Sequence, residues 1–167
     1  METLNKYTSL ITLFTVVLGW LIVNWQNNKR EERKELRSSL TDISKNIEGI
    51  EDSAITYHTS LARTLPLEKT INLNISRLSS KIRHLRFDSE NVKLSFIELK
   101  KSITLDNFET NRFAQQNSDS EITDSIRLAC DKLKDSLEDE FSKHYRGPFR
   151  FRISAAIRSF LISCKPT

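Results

Sequence analysis

The sequence predicts an all-α protein in which a single N-terminal transmembrane helix continues into a cytosolic helical bundle or coiled-coil rod. Three observations support this fold class. Residues 7–28 carry no charged side chain, and later stretches repeat apolar residues at helical spacing. The chain also has only 3 Gly and 3 Pro among its 167 residues. Sandwiches and barrels need those residues at frequent turns, so their scarcity argues against a β fold.

The first element is a long apolar segment near the N-terminus. The stretch from Leu10 to Val23 is apolar apart from two threonines and one glycine. A helix rises about 1.5 Å per residue, so residues 7–25 would extend about 28 Å, close to the roughly 30 Å hydrocarbon core of a bilayer. A cleaved signal peptide is the main alternative, but basic residues follow this segment and do not precede it. We therefore expect a transmembrane helix over 7–28, after a short extracytoplasmic N-terminus at 1–6.

The flanking charges predict the orientation of this helix. Five basic residues follow it closely, whereas only Lys6 precedes it. The side that is richer in Lys and Arg lies in the cytoplasm. We expect the N-terminus outside and the body in the cytoplasm of an inner or plasma membrane, with the lipid bilayer as a partner. Four of the basic residues are also candidates for contact with the membrane surface or another anionic partner: Lys29, Arg30, Arg33 and Lys34.

Residues 29–65 are predicted to form a juxtamembrane heptad helix, because apolar residues recur at alternating steps of four and three. The contact face comprises Leu36, Leu40, Ile43, Ile47, Ile50, Ala54, Tyr57 and Leu61. This stripe fits a self-associating coil or the internal core of a bundle. The same register, carried back into the apolar segment, meets small residues of the kind through which membrane helices associate. That predicted association face comprises Thr8, Thr12, Thr15 and Gly19.

Residues 66–147 are predicted to form a helical bundle with a polar loop near 104–120. Pro66 is expected to end the preceding helix or to lie in the first turn of the next one. Apolar stripes at helical spacing lie at 71–85, 92–103 and 122–141. The first two stripes fit either one bent helix or two separate helices.

The C-terminal segment at 148–167 is basic and amphipathic. No Asp or Glu follows Glu140, whereas six basic residues do. Apolar residues from Phe149 to Cys164 fall at helical spacing. Such a segment can lie on anionic lipid headgroups, bind nucleic-acid phosphates, or form the last helix of the bundle. The candidate residues are Arg146, Arg150, Arg152 and Arg158.

The sequence contains no pattern that indicates a reaction or a metal. The 3 histidines are dispersed, and the acidic run 138–140 lacks the alternating ligands and glycine of a calcium loop. Cys130 and Cys164 have neither a disulfide framework nor metal-ligand spacing. A Gly-rich phosphate loop and a nucleophile elbow are also missing from the sequence. We therefore expect no enzyme, no cofactor and no small-molecule substrate.

The expected function is that of a non-enzymatic scaffold or accessory subunit that makes helical protein–protein contacts on the cytosolic side. Its partner would be another protein or a further copy of the chain. An alternative is a small membrane-acting effector or toxin that perturbs the bilayer when triggered. A further alternative is a membrane-tethered nucleic-acid binder that uses the basic C-terminus.

Overall fold

The computed structural model describes residues 2–85, 87 and 89–146, with side chains described between residues 11 and 145. This part of the chain forms the helices α1 (Glu2–Thr59), α2 (Leu65–His84), α3 (Glu90–Thr104) and α4 (Glu121–Arg146). The predicted all-α fold class is thereby confirmed for this part. The chain divides into two compact units, Met1–Ser39 and Leu40–Thr167, and α1 belongs to both.

The prediction of a transmembrane helix at 7–28 is wrong. Within the described residues, no helix combines the length and the apolar character needed to cross a membrane. The apolar stretch of α1 from Leu10 ends at Val23, and Asn24 and residues 26–28 are polar. The interval 10–23 rises only about 21 Å, against a hydrocarbon core of roughly 30 Å. The expected single-pass location, with the N-terminus outside and the body in the cytoplasm, is contradicted by the same finding.

The second unit buries an apolar stripe from each of its helices, so that it forms a helical bundle. The buried positions within each helix are three, four or seven residues apart, as required for one face of a helix. They are Leu40, Ile43, Ile47, Ile50, Ala54 and Tyr57 in α1, Ile71, Ile75 and Leu78 in α2, Val92, Leu99 and Ile103 in α3, and Ile126, Ala129, Leu133 and Leu137 in α4. Helices α3 and α4 pack directly against each other.

Six of the eight predicted heptad residues are therefore buried inside a single chain. They are the six α1 positions of this core, and each is at most 2% exposed. Leu36 is only half-buried. Leu61 is 88% exposed, because α1 ends at Thr59 and the chain leaves the helix before this position. The buried part of the stripe thus contributes to an internal core.

The helices of the second unit begin next to residue types that are common at helix N-termini. Thr64 is the N-cap of α2, and Pro66 lies in its first turn, where a missing N–H costs no helical hydrogen bond. Ser89 is the N-cap of α3, so the stripes at 71–85 and 92–103 belong to two helices. At the start of α4, the Ser120 hydroxyl accepts a hydrogen bond from the Thr123 amide at 3.4 Å.

Candidate interaction surfaces

The first unit exposes a continuous apolar surface, here called the apolar segment, over residues 11–25 of α1. Eleven large apolar side chains in it are between 42% and 66% exposed: Ile11, Leu13, Phe14, Val16, Val17, Leu18, Trp20, Leu21, Ile22, Val23 and Trp25. Successive residues of a helix are rotated by about 100°, so these side chains point to all sides. A helix that is apolar all round is normally buried, and large exposed apolar patches mark interaction sites.

Three residues of the predicted small-residue face lie within the apolar segment: Thr12, Thr15 and Gly19. The side chain of Thr8 falls outside the described side chains. The Thr15 hydroxyl donates to the Ile11 carbonyl at 2.8 Å, so its polar group is satisfied within its own helix. A Cβ atom at Gly19 would meet nothing within 4 Å, and the helix surface is therefore open at this position. Small residues of this kind allow a second helix to approach closely.

The basic residues that follow the apolar segment are exposed, in agreement with their charge. This holds for Lys29, Arg30, Arg33 and Lys34. Two of them form ion pairs along the helix, Lys29 with Glu32 at 2.7 Å and Lys34 with Glu31 at 2.8 Å. Exposed pairs of this type contribute about 0–1 kcal/mol each. The glutamates offset part of the positive charge, so an anionic partner would meet a mixed surface here.

The other basic candidates belong to the C-terminal segment, whose position is not part of the described structure. Residues 148–167, with Arg150, Arg152 and Arg158, lie outside the described residues. Arg146 is the last residue of α4, and its side chain also falls outside them.

The second unit contains a buried polar cluster, formed by Tyr57, Arg63 and Glu68, that the sequence patterns did not predict. Glu68 is only 3% exposed and accepts a hydrogen bond from the Tyr57 hydroxyl at 2.7 Å. Arg63 donates to both of its carboxylate oxygens, through Nε at 2.6 Å and Nη2 at 2.9 Å. This two-pronged arrangement is the strongest geometry for an arginine–carboxylate pair. It ties the end of α1 to the first turn of α2.

The electrostatics of this cluster follow from its contacts. The hydrogen bonds from Arg63 are the main reason why the pKa of Glu68 lies below its ordinary value. Burial, together with the hydrogen bond to Glu68, raises the pKa of Tyr57 to about 12. Glu68 is therefore ionised and Tyr57 neutral near pH 7, which is the state that the hydrogen bonds require.

The loop between α3 and α4 packs over the end of α1. The backbone N–H of Gln116 donates a hydrogen bond to the backbone carbonyl of His58 at 2.8 Å. Phe108 and Phe113 contact the Tyr57 ring, with ring centroids 5.0 Å and 5.2 Å away. Asp106 and Glu109 adopt positive φ angles of 60° and 52°, a left-handed conformation that is uncommon for residues other than glycine. The polar loop expected near 104–120 therefore has a defined packing role.

His58 is fully buried beneath this loop. Its Nε2 lies 3.2 Å from the Ile103 carbonyl, and its Nδ1 lies 3.4 Å from the side-chain amide nitrogen of Asn107. These partners assign the proton to Nε2, which donates, while Nδ1 accepts from the amide. Burial lowers the pKa of His58 below its ordinary value. The ring is therefore a neutral structural group that joins α1 to α3.

The described residues do not bring together a cluster suited to metal binding. No group of three or more His, Cys, Asp or Glu side chains converges within them. Cys130 is a buried free thiol of α4, and burial is the main cause that raises its pKa to about 12. A thiol of this kind stays protonated and is a poor nucleophile near neutral pH.

Comparisons with known proteins identify no relative of this chain. No protein-family model matches the chain, and no curated protein and no solved structure is significantly similar to it. The class is therefore defined by fold and surface: an all-α protein with a helical bundle in one unit and an exposed apolar helical segment in the other.

Proposed function

We propose that this protein is a scaffold or accessory subunit that acts through helical protein–protein contacts and not through catalysis. The observation that carries this proposal is the apolar segment, with its eleven exposed large apolar side chains. Water-exposed apolar surface of this extent favours association, because covering it releases ordered or constrained water. The partner that we propose is the same segment of further copies of this chain.

The energetics favour more than one neighbouring helix. A single partner helix covers one side of α1, and therefore about half of the apolar side chains. Full burial of a Val, Leu, Ile or Phe side chain contributes about 1.5–3 kcal/mol. These side chains are already about half covered by their own helix, so five or six of them contribute about 4–9 kcal/mol. Association itself costs about 4–15 kcal/mol. Because the remaining sides would stay exposed, the all-round apolar pattern favours an assembly of several copies over a simple pair.

The oligomeric mass tests this proposal. Light scattering would compare the full chain with a variant that starts at Lys29. The core of the second unit begins at Leu40, so the shortened variant retains every buried core residue of the bundle. We expect a defined oligomer for the full chain and a monomer for the shortened variant. Equal masses would contradict the proposal, as would a full chain that stays monomeric in buffer and floats with lipid vesicles.

A point substitution in the full chain tests the contact itself. Replacing Gly19 by Leu fills the open position on the helix surface without adding charge. If helices approach closely there, the substitution should weaken or alter the oligomer. The matched control is Leu13→Ile, which changes an exposed apolar side chain at constant volume. An unchanged mass for both variants would exclude a close helix approach at Gly19.

A further inference from the structure

The second unit carries an apolar groove between α2 and α3, here called the α2–α3 groove. It has a volume of about 640 Å³. Its floor is the buried Val92, and its walls include the half-buried Ile82, Phe87 and Phe96. Ile97 of α3 also lines the groove and is 47% exposed. A volume in this range suits several large apolar side chains, and a groove between two helices suits the apolar face of a third.

The rim of the α2–α3 groove is basic. Arg83 and Lys93 line it from opposite helices, and none of the lining residues that the structure describes is acidic. The sequence contains no Asp or Glu between Glu68 and Asp88, so α2 carries only positive charges beyond its first turn.

The described acids of α3 cancel only part of this charge. Glu90 lies 4.0 Å from Lys93, at the limit of an ion pair, and both side chains are more than half exposed. Glu98 pairs with Lys132 of α4 and therefore interacts on the side of α3 that faces that helix. Exposed pairs such as Glu90–Lys93 are weak and leave part of the positive potential in place.

From this combination we infer that the α2–α3 groove is a docking site for an acidic amphipathic helix of a partner protein. The apolar face of that helix would fill the space between Phe87, Phe96 and Ile97. Its Asp and Glu side chains would flank that face and meet Arg83 and Lys93. Charge complementarity of this kind raises the rate of encounter and selects against basic partners. The inference does not depend on the assembly proposed for the apolar segment.

The charge of the groove also separates this partner from the C-terminal segment of the chain itself. Residues 148–167 contain four basic and no acidic residues. Such a segment would place like charges beside Arg83 and Lys93, which is unfavourable. The basic rim therefore favours an acidic helix from another protein.

A pair of synthetic peptides tests this inference. Each is about five helical turns long, with Leu and Phe at three- and four-residue steps. One carries Glu at its other positions, and its twin carries Lys. Fluorescence anisotropy with the full chain should show binding of the acidic peptide and far weaker binding of the basic twin.

Two substitutions in the groove give the specific readouts. Ile97→Glu places an acid among the apolar lining residues of the groove and should weaken binding of the acidic peptide roughly tenfold or more, as for a central interface residue. Arg83→Glu should also weaken binding of the acidic peptide, and it should reduce the difference in affinity between the acidic and the basic peptide. The matched controls are Leu128→Glu, which alters an exposed leucine of α4, and Arg77→Glu, which makes the same charge change elsewhere on α2. Circular dichroism and urea unfolding would confirm that each variant folds.

Each remaining outcome would overturn the inference. Equal affinity for both peptides would show that the basic rim does not select, and an unchanged affinity in Ile97→Glu would place the peptide elsewhere. Binding to anionic lipid vesicles that is lost in Arg83→Glu, without peptide binding, would assign the surface to lipid. Binding that appears only when Phe160 and Leu161 are replaced by Asp in the full chain would show that the C-terminal segment occupies the groove.

Discussion

Replacing Glu68 by Gln is the most direct test of the buried polar cluster. The amide keeps the size and shape of the carboxylate but removes its charge. It also turns one acceptor into an NH₂ group, which faces a donor of Arg63 or Tyr57. The substitution therefore weakens every hydrogen bond of the cluster and breaks at least one of them. We expect it to destabilise the second unit.

The magnitude follows from the burial of the two partners. Breaking a fully buried ion pair by removing one charge costs about 3–5 kcal/mol, and a hydrogen bond to a charged group contributes about 1.5–3 kcal/mol. The Glu68 side chain is 4% exposed, but that of Arg63 is 30% exposed, so water can hydrate the guanidinium that loses its partner. We therefore expect a loss of about 2–3 kcal/mol in the free energy of unfolding, which is less than for a fully buried ion pair.

Urea unfolding at pH 7, followed by circular dichroism, measures this loss. With an m-value of about 1–3 kcal/mol/M, the urea midpoint should fall by about 0.7–3 M while m stays constant. The matched control is Glu98→Gln, which removes the charge of the exposed pair with Lys132. That variant should lose no more than about 1 kcal/mol.

The pH dependence gives a second readout of the same cluster. The pKa of Glu68 is lower in the folded than in the unfolded chain, chiefly because of Arg63. Its contribution to stability is therefore complete above the ordinary carboxyl pKa of 4.5 and is lost as the pH falls through the folded value. Glu68→Gln should flatten this acid dependence. If the Glu68→Gln variant is as stable as the Glu98→Gln variant at pH 7, or more stable, the argument that the cluster stabilises the fold is refuted.

Three further predictions concern buried groups of the second unit. Leu133→Ala should cost about 2–5 kcal/mol in urea unfolding because Leu133 is fully buried, whereas Leu128→Ala at a 69% exposed position of the same helix should stay within about 0.5 kcal/mol. In a Cys164→Ser background, Ellman's reagent should label Cys130 only when the protein unfolds, since its thiol is buried with a pKa of about 12; rapid labelling of the native protein would contradict this. Burial favours the neutral form of His58, so the unfolded chain binds more protons than the folded chain below the ordinary pKa of 6.5. The free energy of unfolding should therefore decrease as the pH is lowered. Urea midpoints that stay constant from pH 8 to 5 would argue against it.

The helices of the second unit could be predicted from the sequence because their signals are local. Apolar side chains at steps of three and four define one buried face, and this pattern identified the buried positions of α1 from Leu40 to Tyr57. Pro66 and the polar stretch after α3 mark helix ends for equally local reasons. The same periodicity could not decide between an internal core and an intermolecular coil, since both bury one stripe of a helix.

The polar cluster and the packing of the loop could not be predicted, because they depend on residues far apart in the chain. Tyr57 and Glu68 are separated by 11 positions and a helix end, and His58 and Ile103 by 45 positions. In sequence, Glu68 is an ordinary acid in a first helical turn, and His58 is an isolated histidine. Their partners are set by how the helices pack, which a local pattern does not specify.

The apolar segment shows a different limit of sequence reasoning. Its composition correctly indicated a helix, but the predicted span of 7–28 included polar residues after Val23. Absence of charge is a weaker criterion than sustained apolar character, since each polar amide or hydroxyl in hydrocarbon carries a cost of its own. The error therefore concerned the length of the apolar stretch and not its helical nature.

If copies of the chain assemble through the apolar segment, each assembly presents several α2–α3 grooves. A ligand with two acidic helical peptides on a flexible linker would then bind two grooves at once, and its second binding step would become intramolecular. Where the linker spans the distance, we expect the full chain to bind this divalent ligand about 10²–10⁴ times more tightly than the single peptide. The variant that starts at Lys29 should bind both ligands alike, because it retains the groove without the apolar segment. Isothermal titration calorimetry of each protein with each ligand measures these affinities. An equal gain in affinity from the divalent ligand in both proteins would show that the apolar segment does not bring the grooves together.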